Sequence, residues 1–236
     1  KYSSGYWSKD TESLDMSENE MLKKTVQRAQ IADCMDILEL GCGWGSLTCF
    51  MAQCLPNARI TAVSNSNNQR KFIEQRCAKN GLNNVEVITA DMNDYSTNKI
   101  FDRVVSIEMF EHMRNYGKLL ERIGNYIHDN GKVFIHIFTH HTLAYPFIDQ
   151  HPGDWMAREF FSGGQMPSHR LLLHFQAHVK IEKVWRISGK HYSKTSRAWL
   201  SQMDKNKSII LKIFSETYGN DKAKLWFQRW RIFFMA

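Results

Sequence analysis

The stretch Met35-Asp-Ile-Leu-Glu-Leu-Gly-Cys-Gly-Trp-Gly45 decides the fold. Met35 to Leu40 reads as a short buried strand, which gives way at once to three glycines in five residues. Glycine has no Cβ, so the main chain can turn sharply there and a ligand can approach it closely. Ser46 to Gln53 then reads as a helix. Strand, glycine loop and helix in that order open a doubly wound α/β sheet, whose ligands lie beyond the carboxyl ends of its strands. The spacing is G-x-G-x-G, which differs from the G-x-G-x-x-G of dinucleotide-binding loops, and no Lys follows as in a phosphate cradle.

Outward from this loop the same alternation continues. Ser17 followed by Glu20 has the spacing of a capping box, predicting a helix that begins there and runs to about Ala29. Strands are predicted at Arg59 to Val63, Val85 to Thr89, Asp102 to Ile107 and Lys132 to Phe138, with helices at Asn68 to Asn80 and Tyr116 to Ile127. Short apolar strands alternating with helices imply a parallel sheet covered on both faces. After Phe138 the rhythm breaks. Residues 140–176 are aromatic and irregular, with turn formers at Gly163, Gly164 and Pro167. A sixth strand is predicted at Lys180 to Ile187, followed by helices at Ser196 to Lys205, Lys207 to Tyr218 and from Asp221 onward. The expected architecture is one domain, residues 1–236, with a core over about 17–138 and a helical and loop lid over 139–236. Both ends read as cut from a longer chain.

Composition narrows the function. Of 236 residues, 43% are hydrophobic and 23% charged, ordinary globular usage that excludes disorder and fibrous repeats. No apolar run approaches the ~18 residues of a membrane span. Lys and Arg number 31 against 24 acidic residues, a net charge of +7. This favours anionic partners, but no basic run of five and no RNA-binding aromatic signature appears, so a nucleic-acid partner is not expected. Cys34, Cys42, Cys49, Cys54 and Cys77 form no C-x-x-C pair, which speaks against zinc and disulfides and for a reducing cytoplasm. His140 and His141, after His136, lack the carboxylate or cysteine company of a metal site.

Several further segments occur together and in order. They are Tyr2-Ser-Ser-Gly-Tyr-Trp7, the loop at Gly41 to Gly45, Ser64 to Gln69, Ser106-Ile-Glu-Met-Phe-Glu-His112, Phe161-Ser-Gly-Gly-Gln-Met-Pro-Ser168, and Gly189-Lys-His-Tyr-Ser-Lys-Thr195 ahead of Trp199. Together they resemble the cyclopropane fatty acid synthase family of S-adenosylmethionine-dependent methyltransferases, and within it the coclaurine N-methyltransferase-like branch. The resemblance implies a Rossmann-like class I methyltransferase sheet with the lid over an acceptor site. It places Tyr2 and Ser3 in a start motif that closes over the methionine part of S-adenosyl-L-methionine. Gly41 and Gly43 then line the cofactor, Ser64 and Gln69 meet its ribose, Asp91 and Met92 its adenine, and Ile107 lies near the methyl group. The second strand ends in Val63-Ser64-Asn65 where many such enzymes have a carboxylate, so the ribose contacts are expected to be neutral.

The same resemblance assigns chemistry. In the amine-methylating branch, Glu108, Glu111 and His112 match the groups that bind and deprotonate the acceptor amine. In the cyclopropane-forming members, Glu111, His136 and Tyr192 match the residues around a bicarbonate ion, whose usual cysteine partner is here Ser4. The leading expectation is methyl transfer to the nitrogen of a small-molecule amine. The alternative is methylene addition to unsaturated acyl chains of a phospholipid, with peripheral membrane contact, and a third reading is a non-catalytic cofactor- or nucleic-acid-binding scaffold. Tyr145, Trp155, Phe160 and Phe161 are candidate aromatics for caging a substrate cation.

Overall fold

The computed structural model describes residues 2–236. They form two compact units, one of residues Leu22–Val184 and one combining Tyr2–Met21 with Trp185–Ala236. No described helix is long and apolar enough to cross a membrane.

The first unit is built on a five-stranded sheet: β1 (Asp36–Leu40), β2 (Arg59–Ser64), β3 (Val85–Thr89), β4 (Phe101–Ile107) and β5 (Ile127–His136). The strands run parallel in the order β3-β2-β1-β4-β5. The chain starts in the middle at β1, works outward through β2 and β3, then returns to the other side of β1 for β4 and β5. The order therefore reverses between β1 and β4, and the turns leaving those two strands diverge to open a crevice.

Helices cover both faces, which is why the strands are apolar on both sides. Leu38, Leu40 and Val104 pack with Tyr116, Leu119, Leu120 and Ile123 of α4 (Tyr116–Asn125). Those four helix positions recur at three- and four-residue intervals, so they form one buried stripe. On the opposite face Ile37, Ile60 and Val105 pack against Leu47 and Met51 of α2 (Ser46–Cys54) and against Leu22 and Val26 of α1 (Leu14–Arg28). Ile73 and Cys77 of α3 (Asn67–Lys79) close over Ala62 and Val87. Beyond β5 the unit carries β6 (Tyr145–Pro146) and β7 (Gln165–Met166), an antiparallel pair, with α5 (Trp155–Phe160) between them. The second unit contains α6 (Gly189–Lys205), α7 (Lys207–Tyr218) and α8 (Ala223–Met235).

Three boundaries depart from the sequence reading by more than two residues, and one expected strand is missing. Helix α1 starts at Leu14, not Ser17. Ser13 Oγ accepts from the Met16 amide at 3.2 Å, while Ser17 lies within the helix and donates to the Leu14 carbonyl at 2.7 Å. β5 begins at Ile127 because the turn formers of residues 129–131 are absorbed by a register shift between the Phe101–Ile127 and Arg103–Lys132 pairs. The strand predicted at 180–187 does not form. Val184 is 56% exposed there, and strand propensity without a buried face or a strand to pair with does not build a ladder. Helix α6 starts seven residues before the predicted Ser196, capped by Ser188 Oγ, which accepts from the Lys190 amide.

Candidate active site

The loop after β1 is shaped by its glycines. Gly41 has φ +77°, and a Cβ there would lie 2.6 Å from the Met109 side chain, so this position needs both the left-handed backbone and the missing side chain. The Gly41 and Cys42 amides each donate to the Val63 carbonyl at 3.0 Å, curling the loop across the ends of β1 and β2. Beneath it, buried Glu39 accepts the Thr48 hydroxyl at 2.6 Å, and burial pushes its carboxyl up to about 8. At the end of β2, buried Ser64 donates to Gln69 Oε1 at 2.5 Å, and Gln69 is itself fixed in the first turn of α3, its amide donating to Ser66 Oγ. Asp91 is exposed and accepts from the backbone and side-chain nitrogens of Asn93 at 2.7 and 2.9 Å, so it closes a turn. Met92 packs against the main core.

Across the crevice, β4 ends at Ile107 and the chain turns on Glu108, whose φ of +50° is unusual for a side-chain-bearing residue and costs about 1–3 kcal/mol. The Glu108 amide donates to the His136 carbonyl at 2.7 Å, tying this turn to the end of β5. Its carboxylate, 8% exposed, lies 3.9 Å from His136 Nε2. A 3-10 turn, Phe110–His112, follows. Glu111 is fully buried in it. Its Oε1 accepts from the Phe138 amide at 2.8 Å, while its buried Oε2 has no hydrogen-bond partner among the described residues. Burial, reinforced by the neighbouring charge of Glu108, pushes the Glu111 carboxyl up to about 8.

His112, beside it, is an exposed residue that stacks on Phe161 with ring centroids 6.4 Å apart. Partial burial holds its imidazole below the usual range. Phe161 in turn packs against Phe138 and Phe147, and Phe147 against Tyr145, giving a continuous aromatic wall beside the acidic turn. Trp155 and Phe160 pack on one another within α5.

In the second unit, the segment carrying Tyr2, Ser3 and Ser4 is anchored to α6. The Gly5 amide and the Trp7 indole nitrogen both donate to Thr195 Oγ1, at 3.0 and 2.9 Å. The Trp7 amide donates to His191 Nδ1 at 2.9 Å, and Tyr6 stacks on the His191 ring at 4.5 Å. Tyr2 is 57% exposed and Ser4 is buried. Tyr192, next to His191, meets Trp199 edge-on at 6.3 Å.

A profile described as "Mycolic acid cyclopropane synthetase" matches residues 1–226. The chain belongs to this family of S-adenosylmethionine-dependent methyltransferases. Among relatives in the family it is 38% identical over 235 residues to (S)-coclaurine N-methyltransferase of Thalictrum flavum subsp. glaucum, covering 98% of this chain and 65% of the relative. It is 36% identical over 239 residues to pavine N-methyltransferase of the same plant, covering all of this chain and 67% of the relative. The chain thus spans about two thirds of the length of these relatives. A crystal structure of coclaurine N-methyltransferase bound to N-methylheliamine and SAH superposes with a TM-score of 0.94 at 37% identity, over all of this chain and 70% of that one.

The residues proposed for the site divide between the units. Gly41, Gly43, Ser64, Gln69, Ile107, Glu108, Glu111, His112 and His136 gather at the carboxyl edge of the sheet, on or just after β1, β2, β4 and β5. Tyr2, Ser3, Ser4 and Tyr192 belong to the other unit. The sequence reading missed His191 and Thr195 as anchors of the N-terminal segment. Their four-residue spacing on a helix was the available signal, hidden because α6 was started after them.

Proposed function

We propose that this protein transfers a methyl group from S-adenosylmethionine to the nitrogen of a small-molecule amine. The observation that carries the reading is Glu111: a fully buried carboxyl, anchored through one oxygen, with the other oxygen unpartnered and its ionisation pushed up to about 8. The N-methyltransferase names of the relatives at 36–38% identity point the same way.

The donor set suits the cofactor. Ser64 and Gln69, already paired and held at the end of β2, offer neutral hydroxyl and amide groups to ribose hydroxyls. Gly41 and Gly43 carry no Cβ to hold a ligand off the main chain, and Ile107 supplies an apolar residue at the end of β4. Asp91 and Met92 complete the proposed set at the adenine end. S-adenosylmethionine, when bound, supplies a methyl carbon on a sulfonium sulfur that leaves as a neutral thioether.

The remaining work falls to the chain. An alkylamine arrives mostly as ammonium at neutral pH, its lone pair engaged by a proton. Glu108 places negative charge near the turn to draw that cation in. In its ionised form, which predominates only above about pH 8, Glu111 takes the proton at Oε2 and frees the lone pair. His112, held neutral and partly exposed, relays the proton towards solvent. Phe138, Phe147 and Phe161 exclude water and restrict the acceptor's approach. In the same reading the protein works in the reducing cytoplasm, where buried Cys42, Cys49 and Cys77 and exposed Cys34 and Cys54 remain thiols.

Incubation with methyl-labelled cofactor and a panel of cyclic secondary amines, beside vesicles of unsaturated phospholipid, tests the reading by product mass. Label in an amine is the expected result. Label in lipid and in no amine would replace the reading with cyclopropane formation.

A further inference from the structure

The segment bearing Phe147 and Phe161 has little of its own to stand on. β6 and β7 pair through only Tyr145–Met166 and Pro146–Gln165, a ladder far too short to be stable alone. Its base is fixed where the His140 amide donates to the Pro167 carbonyl and the His169 amide to the His140 carbonyl, both at 2.9 Å. Its tip is held by other means. Gln165 Nε2 donates to the Met113 carbonyl at 3.0 Å. Arg114, two residues beyond the turn that carries Glu111, reaches across to both arms. Its Nε and Nη2 converge on the Gly164 carbonyl at 3.3 and 3.0 Å, and Nη2 also donates to the Phe147 carbonyl at 3.2 Å. The Phe147 amide donates to the same Gly164 oxygen at 3.0 Å. Gly164 itself lies against the acidic turn so closely that a Cβ would stand 2.6 Å from the Glu111 carbonyl oxygen.

From this convergence we propose that Arg114 is a positioning residue: it clamps the Phe147–Gly164 tip onto the Glu111–His112 turn and thereby sets the approach of the acceptor. The inference rests on the amine-methylation reading for its kinetic consequence, and on geometry alone for the clamp. A guanidinium fits the task because its fixed fork satisfies two carbonyls from one side chain, whereas an ammonium serves them only as a mobile point charge. With the clamp in place, Phe161 stays stacked on His112 and Phe147 stays against Phe161, so the aromatic wall keeps one shape. Without it the tip is free to lift from a base that remains attached.

The test uses Arg114→Ala, Arg114→Lys and Gly164→Ala in the full chain, read by amide hydrogen exchange of the Phe147 peptide, acceptor KM and kcat, and calorimetric SAH affinity. Arg114→Ala is expected to speed exchange at Phe147 and to raise acceptor KM, each by about tenfold, with SAH affinity changed less than about twofold. Arg114→Lys should fall between wild type and Ala. Gly164→Ala should raise acceptor KM with Arg114 intact. Unchanged exchange at Phe147 would overturn the clamp, and so would unchanged acceptor KM or a parallel loss of SAH affinity. If the wild-type protein turns over no amine, the proposed function fails separately and exchange alone decides the clamp.

Discussion

Replacing Glu111 by Gln should make the protein more stable at alkaline pH while disabling it. The carboxyl ionises near 4.5 when exposed and at about 8 in the fold. Between those values the folded state holds a proton that the unfolded chain has released, so stability declines as pH rises from about 4.5 to about 8 and is level above. The full shift, 8 − 4.5 = 3.5 units, corresponds to at most about 5 kcal/mol. Gln keeps an oxygen to accept the Phe138 amide but leaves an unpartnered amide nitrogen where Oε2 lies, a cost of about 1–3 kcal/mol. The protonated acid bears a comparable cost, so the two proteins should match near pH 5. Above pH 8 the variant should be more stable by about 2–4 kcal/mol, which for a chain of this size is a melting-temperature gain of at least about 4 °C. Glu39, shifted in the same direction, is present in both proteins and cancels. Thermal unfolding of both proteins from pH 5 to pH 9 reads the gap. A gap that does not widen with pH would refute the buried, proton-holding carboxyl.

Two further outcomes test neighbouring parts. Ser64→Ala removes the hydroxyl bonded to Gln69 and should weaken SAH binding about 5- to 10-fold by calorimetry while leaving kcat within about twofold. Thr195→Val deletes the acceptor shared by the Gly5 amide and the Trp7 indole, stranding two donors. The N-terminal segment should then be cut by protease about tenfold faster, and equal cutting rates would show that the segment is held elsewhere.

The sheet was legible because its strands are buried on both faces: Ile37 to Leu40, Ile60 to Val63 and Val104 to Val105 are buried throughout and apolar except at Glu39 and Thr61, and glycines punctuate the exit of β1. The strand expected at 180–187 failed for a complementary reason. Ile181, Val184 and Trp185 favour extended chain locally, but no described strand pairs with them, and the Ile181 amide donates instead to the Gln176 side chain. The start of α6 was hidden because Gly189 and the His191–Tyr192 pair are poor helix formers, and contacts made by His191 and Thr195 to residues far away in sequence outweigh that preference.

The acidic site was only half legible. Glu108, Glu111 and His112 were named from their place after the fourth strand and from family resemblance, yet nothing in their spacing reveals that Glu111 is sealed from water and anchored by the Phe138 amide. Nor does spacing show that Glu108 turns the chain through a left-handed backbone. The clamp at Arg114 joins residues 33 and 50 positions apart, beyond the reach of local periodicity.

In the proposed reaction Glu111 frees the acceptor's nitrogen, and single-turnover methyl transfer by Glu111→Gln to an amine that wild type accepts tests that role most directly. The expected rate is at least about 100-fold below wild type, with SAH affinity unchanged within about twofold. A variant that methylates the amine at the wild-type rate would contradict it.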